Sequence, residues 1–412
     1  MSFHISLTGI NSASKDLETT SNNLANAGTT GFKESRAEFN DLFAMGPMGI
    51  PQLSVGQGAR LANVGQMFTQ GSFEFTERSL DLGIEGRGFF RLDDGNGEVS
   101  YTRAGQFEVN RDGYIVNNTG KHLTGYSTDE DGNRVGDGRD RLEVPTEGIP
   151  ARATENVDID ANLQADAETL DPEGFDPDDP ETYNESTTTT LYDSQGSARD
   201  ATFYFVKTGN NQWNVYTQID GVEYPGEDDF LGPHELEFDS AGNLVEGGDL
   251  DFADDDALEL TADVDDLELV IDFGDLTQFA RPFNVTGVSQ DGYTAGEFQN
   301  IDVENDGTII GRYTNGEAQA IGQVALTSFP SEERLQAVGE TSWEATREAG
   351  DPLIGVPGEG QFGRIENGAL EQSNVEVSDQ LVNMITAQRN FSANAQMVST
   401  QDQVTQEILN IR

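Results

Sequence analysis

The residue types best suited to chemistry are scarce in this sequence. The chain has 412 residues, no Cys and three His, namely His4, His122 and His234. The His spacing does not fit a metal site of the His-Glu-x-x-His kind. Without Cys, neither a thiolate ligand, a cysteine nucleophile nor a disulfide is available. We therefore predict no catalytic residue, no metal and no cofactor, and a protein that is not an enzyme.

Two short motifs match the letters of ligand-binding signatures. Residues 358–363 read GEGQFG, the spacing of a dinucleotide fingerprint, but Pro357 precedes them and no βαβ unit surrounds them. Residues 129–140 read DEDGNRVGDGRD, but Arg134 stands where a calcium loop of this kind needs Gly. We interpret the first as a loop leading to the last helix and the second as a polar hairpin.

Carboxylates are so numerous that a glycosidase-like pair stays open as an alternative. Such a pair would need an aromatic-rich cleft, and the sequence indicates none. The two tryptophans, Trp213 and Trp343, are typical of packing residues in strands. A secreted acidic enzyme is therefore one alternative function.

The formal net charge of −52 dominates the composition. A surface of this sign repels nucleic acid and anionic membranes, so neither is a predicted partner. We expect a surface adapted to high salt, because the Debye length falls to about 3 Å at 1 M salt and self-repulsion is then screened. An ordinary acidic extracellular protein is the alternative.

The sequence has neither an obvious leader nor a membrane span. Residues 1–16 lack both a basic start and a continuous apolar core, and no later stretch approaches the roughly 18 apolar residues of a transmembrane helix. These features predict a soluble chain and, if it is exported, a route that does not cleave a classical leader.

Apolar residues at both ends repeat at spacings of three and four, which predicts coiled-coil seams. The amino-terminal seam is Ile10, Ala13, Leu17, Thr20, Leu24 and Ala27. The carboxy-terminal seam is Val377, Leu381, Met384, Phe391, Ala395 and Val398, shifting to Val404, Ile408 and Ile411. Ser373 and Glu376 form a predicted capping box for a helix over about 375–409.

Ser, Thr and Asn cover the rest of the amino-terminal helix, so alone it would be marginally stable. Its seam therefore needs a partner. The candidates are the carboxy-terminal helix, copies of both helices from other subunits, or both kinds of partner.

Between the helices the sequence predicts strands and turns. Short alternating runs separated by Asp-Gly or Asn-Gly occupy residues 68–126 and 287–329, and we infer one discontinuous β domain from them. Strands are predicted at 186–192, 201–208, 212–218 and 267–273 in a further β region. Residues 28–68 show little periodicity and are predicted to be a connector that orders only on contact with neighbours.

The predicted fold is mainly β with α-helical coiled-coil termini and discontinuous, nested domains. Residues 1–29 with 372–412 form a terminal helical domain, and 30–70 an extended linker region. Residues 71–148 with 287–371 form an inner β domain, into which 149–286 insert as an outer β domain.

Several stretches resemble the bacterial flagellar rod and hook protein family. SNNLANAGTTGFKESRAEFNDLF, from Ser21, is similar to its amino-terminal signature, with matches at Asn22, Asn23, Leu24, Ala25, Asn26, Thr30, Gly31 and Phe32. Residues 80–92 and 101–117 resemble its inner β domain. Residues 368–412 resemble its last helix, opened by Ser373, Asn374 and Val375. Residues 191–218 resemble the outer domain of the hook branch.

This resemblance implies a structural subunit of a helical, tubular polymer, the flagellar hook, which links rod to filament as a flexible universal joint in motility. It also implies a type III export apparatus and, as partners, further copies, the distal rod protein, the hook cap and the hook–filament junction proteins. The polymer interface would use the seams at Ile10, Leu17, Leu24, Val377, Leu381, Met384, Phe391, Val398 and Ile408. A distal rod protein of the basal body and a secreted adhesin are the remaining alternatives.

Overall fold

The computed structural model describes residues 2–42, 56–129, 132–136, 138–145, 147–222, 230–252, 258, 260 and 264–410. It is mainly β with one long helix near each end, as predicted. The chain divides into two compact units. The first unit comprises residues 1–146, 300–312 and 318–412, and the second comprises 147–299 and 313–317.

The terminal helices of the first unit are α1 (Ser2–Ala25) and α2 (Val377–Asn410), and they pack against each other. They run antiparallel, since Asn23 bonds Gln380 near one end and Gly9 meets Asn394 further along. On α1 the covered positions repeat every seven residues. Ser6, Ala13 and Thr20 are buried, and Ile10, Leu17 and Leu24 are half-buried.

The covered face of α2 is rotated from the predicted seam. Met384 and Val398 lie on it, half-buried, as does the buried Ala387, whereas Val377 and Leu381 remain exposed. The reason is that two polar residues occupy the interface: Gln380 accepts a hydrogen bond from Asn23, and Asn394 lies close to Gly9. A search for apolar spacing does not detect polar residues of this kind.

Residues 30–70, predicted to be an extended linker region, contain a β-hairpin in their described part. β1 (Ser35–Asp41) and β2 (Ala59–Gln66) pair antiparallel, with a bulge between Glu38 and Phe39. The hairpin packs on α1, where Gly58 approaches Thr8. Its strands are largely exposed and contain no fully buried residue, so they lack the strong apolar alternation by which a strand is predicted. The Gly-, Met- and Pro-rich stretch at 45–51 lies outside the described residues.

The inner β structure of the first unit is built around one large, mostly antiparallel sheet. Its strands before residue 146 are β5 (Phe89–Asp93), β6 (Val99–Thr102), β7 (Phe107–Val109), β8 (Ile115–Asn117), β9 (His122–Ser127) and β10 (Asp140–Arg141). Its strands from the second half of the chain are β21 (Phe298–Val303), β22 (Thr308–Tyr313), β23 (Ala318–Val324), β24 (Leu326–Ser328), β25 (Gln336–Gly339), β26 (Ser342–Glu344) and β27 (Leu353–Gly355). The main strand order is β21–β22–β23–β9–β5–β6–β26–β25. Outside this sheet lie β3 (Phe73–Phe75), β4 (Leu82–Glu85), β28 (Arg364–Asn367) and β29 (Ala369–Glu371).

Two short ladders bring distant parts of the chain together. β3 pairs with β29 and β4 pairs with β28, both antiparallel. An aromatic core of Phe89, Tyr101, Phe329 and Trp343 is buried in the same unit. The segment leading into α2 is thus tied to residues near the start of the inner sheet.

The second unit is a sandwich of two five-stranded sheets. One sheet contains β11 (Asn156–Gln164), β17 (Asp249–Phe252), β18 (Leu269–Asp272), β19 (Thr277–Phe279) and β20 (Asn284–Gln290). The other runs in order through β12 (Glu185–Tyr192), β13 (Ala198–Gly209), β14 (Gln212–Ile219), β15 (Leu231–Phe238) and β16 (Leu244–Glu246). Both contribute to one core, for example through Ile159, Phe205 and Trp213.

The turn chemistry explains most of these hairpins. Gly95, Gly113, Gly307 and Gly316 have positive φ at strand connections, where a residue without Cβ is favoured. Asp291-Gly292 is the exception and does not make a hairpin. Instead, the Asp291 carboxylate accepts hydrogen bonds from the backbone N–H groups of Glu155 and Asn156.

Candidate functional site

The residues of the amino-terminal signature meet the start of α2, and Asn23 makes the first link. Its side-chain amide donates to the backbone oxygen of Ser35 at 2.7 Å and its oxygen accepts from the Ser35 N–H at 2.9 Å. The same amide lies 3.3 Å from Oε1 of Gln380, whose Nε2 donates to Glu34 at 2.8 Å. Asn23 therefore fixes the exit of α1 to both β1 and α2.

Asn374 makes the second link. Its Oδ1 accepts from the Glu34 N–H at 2.7 Å, and its Nδ2 donates to the backbone oxygen of Met67 and to Oγ1 of Thr69, both at 2.8 Å. One side chain thus holds the beginning of β1, the end of β2 and the segment entering α2.

The neighbouring Ser373 does not form the predicted capping box. Its Oγ accepts from the N–H of Val375 at 3.3 Å, in a local turn, and α2 starts only at Val377. Because Asn374 holds this segment in an extended connection, the helix cannot begin where the sequence pattern places it.

Gly31 is required by its surroundings. It has φ +69°, a region that non-glycine residues rarely adopt, and a Cβ there would collide with the backbone nitrogen of Ala104. Its N–H donates to the backbone oxygen of Glu371 at 2.8 Å. The glycine lets the two chain ends approach.

The other signature residues border an open cavity of about 290 Å³. Asn22 is exposed, Asn26 donates to the backbone oxygen of Asn22 at 2.9 Å, and Phe32 is half-buried. Glu340 and Trp343 lie on the opposite wall. These side chains are closer to the surface than Asn23 or Gly31.

A buried charge cluster of Lys33, Glu371 and Arg103 lies at the centre of this site, and the sequence analysis did not find it. The ammonium of Lys33 lies 2.5 Å from Oε1 of Glu371, and Nη1 of Arg103 lies 3.2 Å from Oε2. The side chains of Lys33 and Glu371 are 0% exposed, and that of Arg103 is 3% exposed. The same Oε1 accepts from the N–H of Gly71 at 3.0 Å.

The surroundings of the cluster satisfy most of its remaining donors. Lys33 also donates to the backbone oxygen of Thr69 at 2.8 Å, and Arg103 donates to that of Gly86 at 2.9 Å. The Arg103 guanidinium sits over the ring of Phe89, 5.2 Å from its centroid. Burial lowers the pKa of Lys33, and the nearby Glu371 carboxylate opposes that shift. The scarcity of Lys, with Lys33 inside the signature, was the one available signal.

The structure places the predicted seam residues in two groups. Ile10, Leu17 and Leu24 on α1, with Met384 and Val398 on α2, lie half-buried, whereas Phe391 is 39% exposed. The side chain of Ile408 lies outside the described residues. The seam pattern did not include Val382 or Ile385. Together with Val377 and Leu381 they form an exposed apolar patch, here called the α2 stripe: Val377, Leu381, Val382 and Ile385, with exposed fractions of 45, 45, 62 and 51%.

Four family models match successive parts of the chain. "Flagella basal body rod protein" matches residues 3–33 and "Flagellar hook protein FlgE/F/G D1 domain" matches 83–165. "Flagellar basal body protein FlaE D2 domain" matches 162–293, and "Flagellar basal body rod FlgEFG protein C-terminal" matches 366–411.

Whole-chain relatives decide the assignment. The flagellar hook protein FlgE of Salmonella typhimurium is 36% identical, with 100% of each chain covered. This chain belongs to the flagellar hook protein family. The hook protein of Escherichia coli is 35% identical over 100% of both chains, and that of Borreliella burgdorferi is 31% identical over 100% of this chain and 99% of its own.

A solved hook-family structure has the same fold. The crystal structure of Helicobacter pylori flagellar hook protein FlgE2 superposes with a TM-score of 0.55 at 15% identity, covering 73% of this chain and 100% of that one. The family is one of structural subunits of the flagellar hook, and the interpretation as a hook subunit is confirmed.

Two findings concern other chemistry. Among the described residues, no group of His, Cys, Asp or Glu is arranged to hold a metal ion. Neither α1 nor α2 is both long and apolar enough, over its described residues, to pass through a lipid bilayer.

Proposed function

We propose that copies of this chain assemble through their terminal helices into a tubular polymer, the hook, and that the α2 stripe is the contact surface. The observation that carries the proposal is the exposure of four neighbouring apolar side chains on a helix whose other face already packs on α1. Burying each such side chain contributes about 1.5–3 kcal/mol. A second copy supplies the cover that the single chain lacks.

The two faces of α2 would then have separate tasks. The seam at Ile10, Leu17, Leu24, Met384 and Val398 holds the pair of helices together within one copy. The α2 stripe holds one copy to the next. Because such a contact joins two different surfaces and does not close on itself, repeating it builds an open helix.

The domain boundaries follow the same division of labour. Residues 1–29 with 372–412 would line the inner tube, and 30–70 would connect them to the inner β domain of 71–148 with 287–371. The outer β domain, 149–286, falls within the second compact unit. Its charged surface favours contacts that slide as the hook bends, since exposed ion pairs contribute only about 0–1 kcal/mol each.

The remaining assignments rest on family membership. They are torque transmission as a universal joint, export through the flagellar type III apparatus without a cleaved signal peptide, and an extracellular position. The proposed partners besides further copies are the distal rod protein, the hook cap and the hook–filament junction proteins. A structural role of this kind needs no catalytic site.

Electron microscopy of purified protein tests the assembly. We expect the full chain to form tubes in several-molar salt, and a chain ending at Gln372 to form none because it lacks α2. The double substitution L381S/I385S should abolish tubes while the far-ultraviolet circular dichroism of the monomer is unchanged.

The matched control is V245S, because Val245 is 69% exposed and belongs to β16 of the second unit, not to either helix. This variant should form tubes as the unsubstituted chain does. Tubes of normal yield from L381S/I385S would exclude the α2 stripe as the contact, and their presence in the truncated chain would exclude α2 altogether.

A further inference from the structure

The glycine-rich residues 358–363 contribute to a cavity that the assembly contact described above does not use. They lie against the turn Gly86-Arg87-Gly88, where the N–H of Gly363 donates to the backbone oxygen of Arg87 at 2.7 Å. A Cβ on Gly363 would collide with the backbone oxygen of Glu85. The two segments border an open surface cavity of about 350 Å³.

Two arginines line this cavity. Arg87 extends from the glycine turn, and Arg364 stands at the start of β28. Neither makes a salt bridge with another of the residues that the structure describes. Glu85, directly opposite Arg364 in the β4–β28 ladder, is the carboxylate that also lines the cavity. The side chains that line the cavity therefore carry two positive charges and one negative charge.

Such a patch is unusual in this chain, which has 75 acidic residues against 23 Lys and Arg. Two arginines line one cavity there, and neither makes a salt bridge with another described residue. A guanidinium presents donors in a planar fork that matches a carboxylate bidentately. The cavity is therefore suited to carboxylates.

The loop does not bind a nucleotide in the manner its letters suggest. In a dinucleotide site the glycines precede a helix whose N-terminus faces the phosphates. Here β28 (Arg364–Asn367) follows the loop and pairs antiparallel with β4. The dipole and the N–H groups of a helix terminus are absent from this loop, and the two arginine side chains supply the positive charge.

We propose that the Arg87–Arg364 cavity binds acidic side chains of a second copy of this chain. The inference rests on the proposed polymer, in which each subunit faces neighbours with a net charge of −52. The charged groups that a neighbouring subunit presents to the cavity are therefore mostly carboxylates. The contact between arginine and carboxylate is exposed to solvent and salt. It can therefore break and re-form while the contacts between helices hold the tube together.

Zero-length cross-linking in isotopically mixed tubes tests this directly. The variant R87K/R364K keeps the positive charge and introduces amines, which carbodiimide joins only to carboxylates in contact. Tubes grown from equal amounts of ¹⁴N and ¹⁵N chains are cross-linked, digested and analysed by mass spectrometry. We expect light–heavy peptide pairs joining position 87 or 364 to an Asp or Glu.

Tubes whose cross-links at these positions are solely light–light and heavy–heavy, for instance to Glu85, would overturn the proposal and leave the polymer intact. Absence of tubes from the unsubstituted chain would instead refute the polymer, and this proposal with it. The two failures are therefore distinguishable.

A second measurement does not depend on cross-linking chemistry. At the lowest salt concentration that supports tubes, R87Q/R364Q should raise the critical concentration for assembly by about tenfold, which corresponds to losing a modest attraction at two sites. The control is R111Q, because Arg111 is exposed in a turn of the same unit and lines neither this cavity nor the helices. Equal critical concentrations for all three chains would contradict the assignment.

Discussion

The residues that organise the base of the helices are charged and buried. Lys33, Glu371 and Arg103 come from three separate parts of the chain and meet without water access. Charges removed from water are costly unless paired and hydrogen-bonded, which is why their carboxylate also receives the Gly71 N–H. The cluster therefore requires all three segments to be in place and couples the signature to the segment before α2.

Removing the shared carboxylate tests this coupling. E371Q should lower the free energy of unfolding of the first unit by about 3–5 kcal/mol, because two buried cations would lose their counter-charge. Chemical denaturation of the full chain measures it. The control is E18Q, whose exposed pair with Lys15 should contribute about 0–1 kcal/mol. Equal effects of the two substitutions would contradict a coupling role.

The pH dependence of E371Q has a definite sign. Burial lowers the pKa of Lys33 below its ordinary value of 10.5, and without Glu371 the opposing interaction is gone. The folded variant then releases this proton at a lower pH than the unfolded chain, so its stability rises with pH in that interval. The deficit relative to the unsubstituted chain should therefore shrink as the pH rises toward 10.5, the ordinary pKa of Lys. A constant deficit would mean that Lys33 stays charged.

At the scale of elements, the helix pair depends on one close approach. The Cβ of any residue replacing Gly9 would lie 2.5 Å from Oδ1 of Asn394, so α2 sits directly on the α1 backbone there. Asn394 in turn donates to the backbone oxygen of Asn390 at 2.8 Å. The spacing of the helices is therefore set by a glycine and an amide as well as by the apolar seam.

A large side chain at this point should separate the helices. We expect G9L to cost about 1–3 kcal/mol through overpacking and to reduce hydrogen-exchange protection of α1. N394A in the same chain should recover part of the loss, as a double-mutant cycle would measure. N11L is the control, since Asn11 is exposed on the same helix. Independent, additive effects of G9L and N394A would argue against the contact.

At the scale of the whole molecule, net charge is the dominant property. Carrying −52 charges, the compact state is destabilised by self-repulsion more than the expanded chain is. Specific hydrogen bonds hold some of these carboxylates ionised. For Asp193, burial raises the pKa, but bonds from the Ser197 N–H and Arg199 outweigh it and leave the pKa lowered. Such local arrangements do not remove the long-range repulsion.

Salt should therefore stabilise the folded chain. We expect the free energy of unfolding to rise steadily as sodium chloride increases from about 0.1 to 2 M, because the Debye length falls from about 10 Å to below 3 Å. Sucrose at matched osmolality is the control, since it stabilises by exclusion and leaves charges unscreened. Equal slopes in salt and sucrose would show that screening is not the cause, and would remove the support for a high-salt habitat.

Local patterns in the sequence were sufficient for the larger features of the fold. The three-four spacing identified both terminal helices, and alternation between Asp-Gly turns identified the strands on either side of Gly113 and Gly307. The strand predicted at 212–218 corresponds to β14. Each of these features depends on residues that are close in sequence, where periodicity and turn geometry act directly.

Only the tertiary structure decided which faces meet and which charges are buried. The apolar residues Val377 and Leu381 lie outside the helix interface, while Gln380 lies inside it, next to Asn23. Because Asn23 is far away in the sequence, no local pattern predicts this contact. In the same way, Lys33 forms an ion pair with Glu371, which lies near the other end of the sequence. Residue types indicate the local secondary structure. Which side chains are buried and which charges pair depends on long-range contacts, and these cannot be predicted from the local pattern of a single sequence.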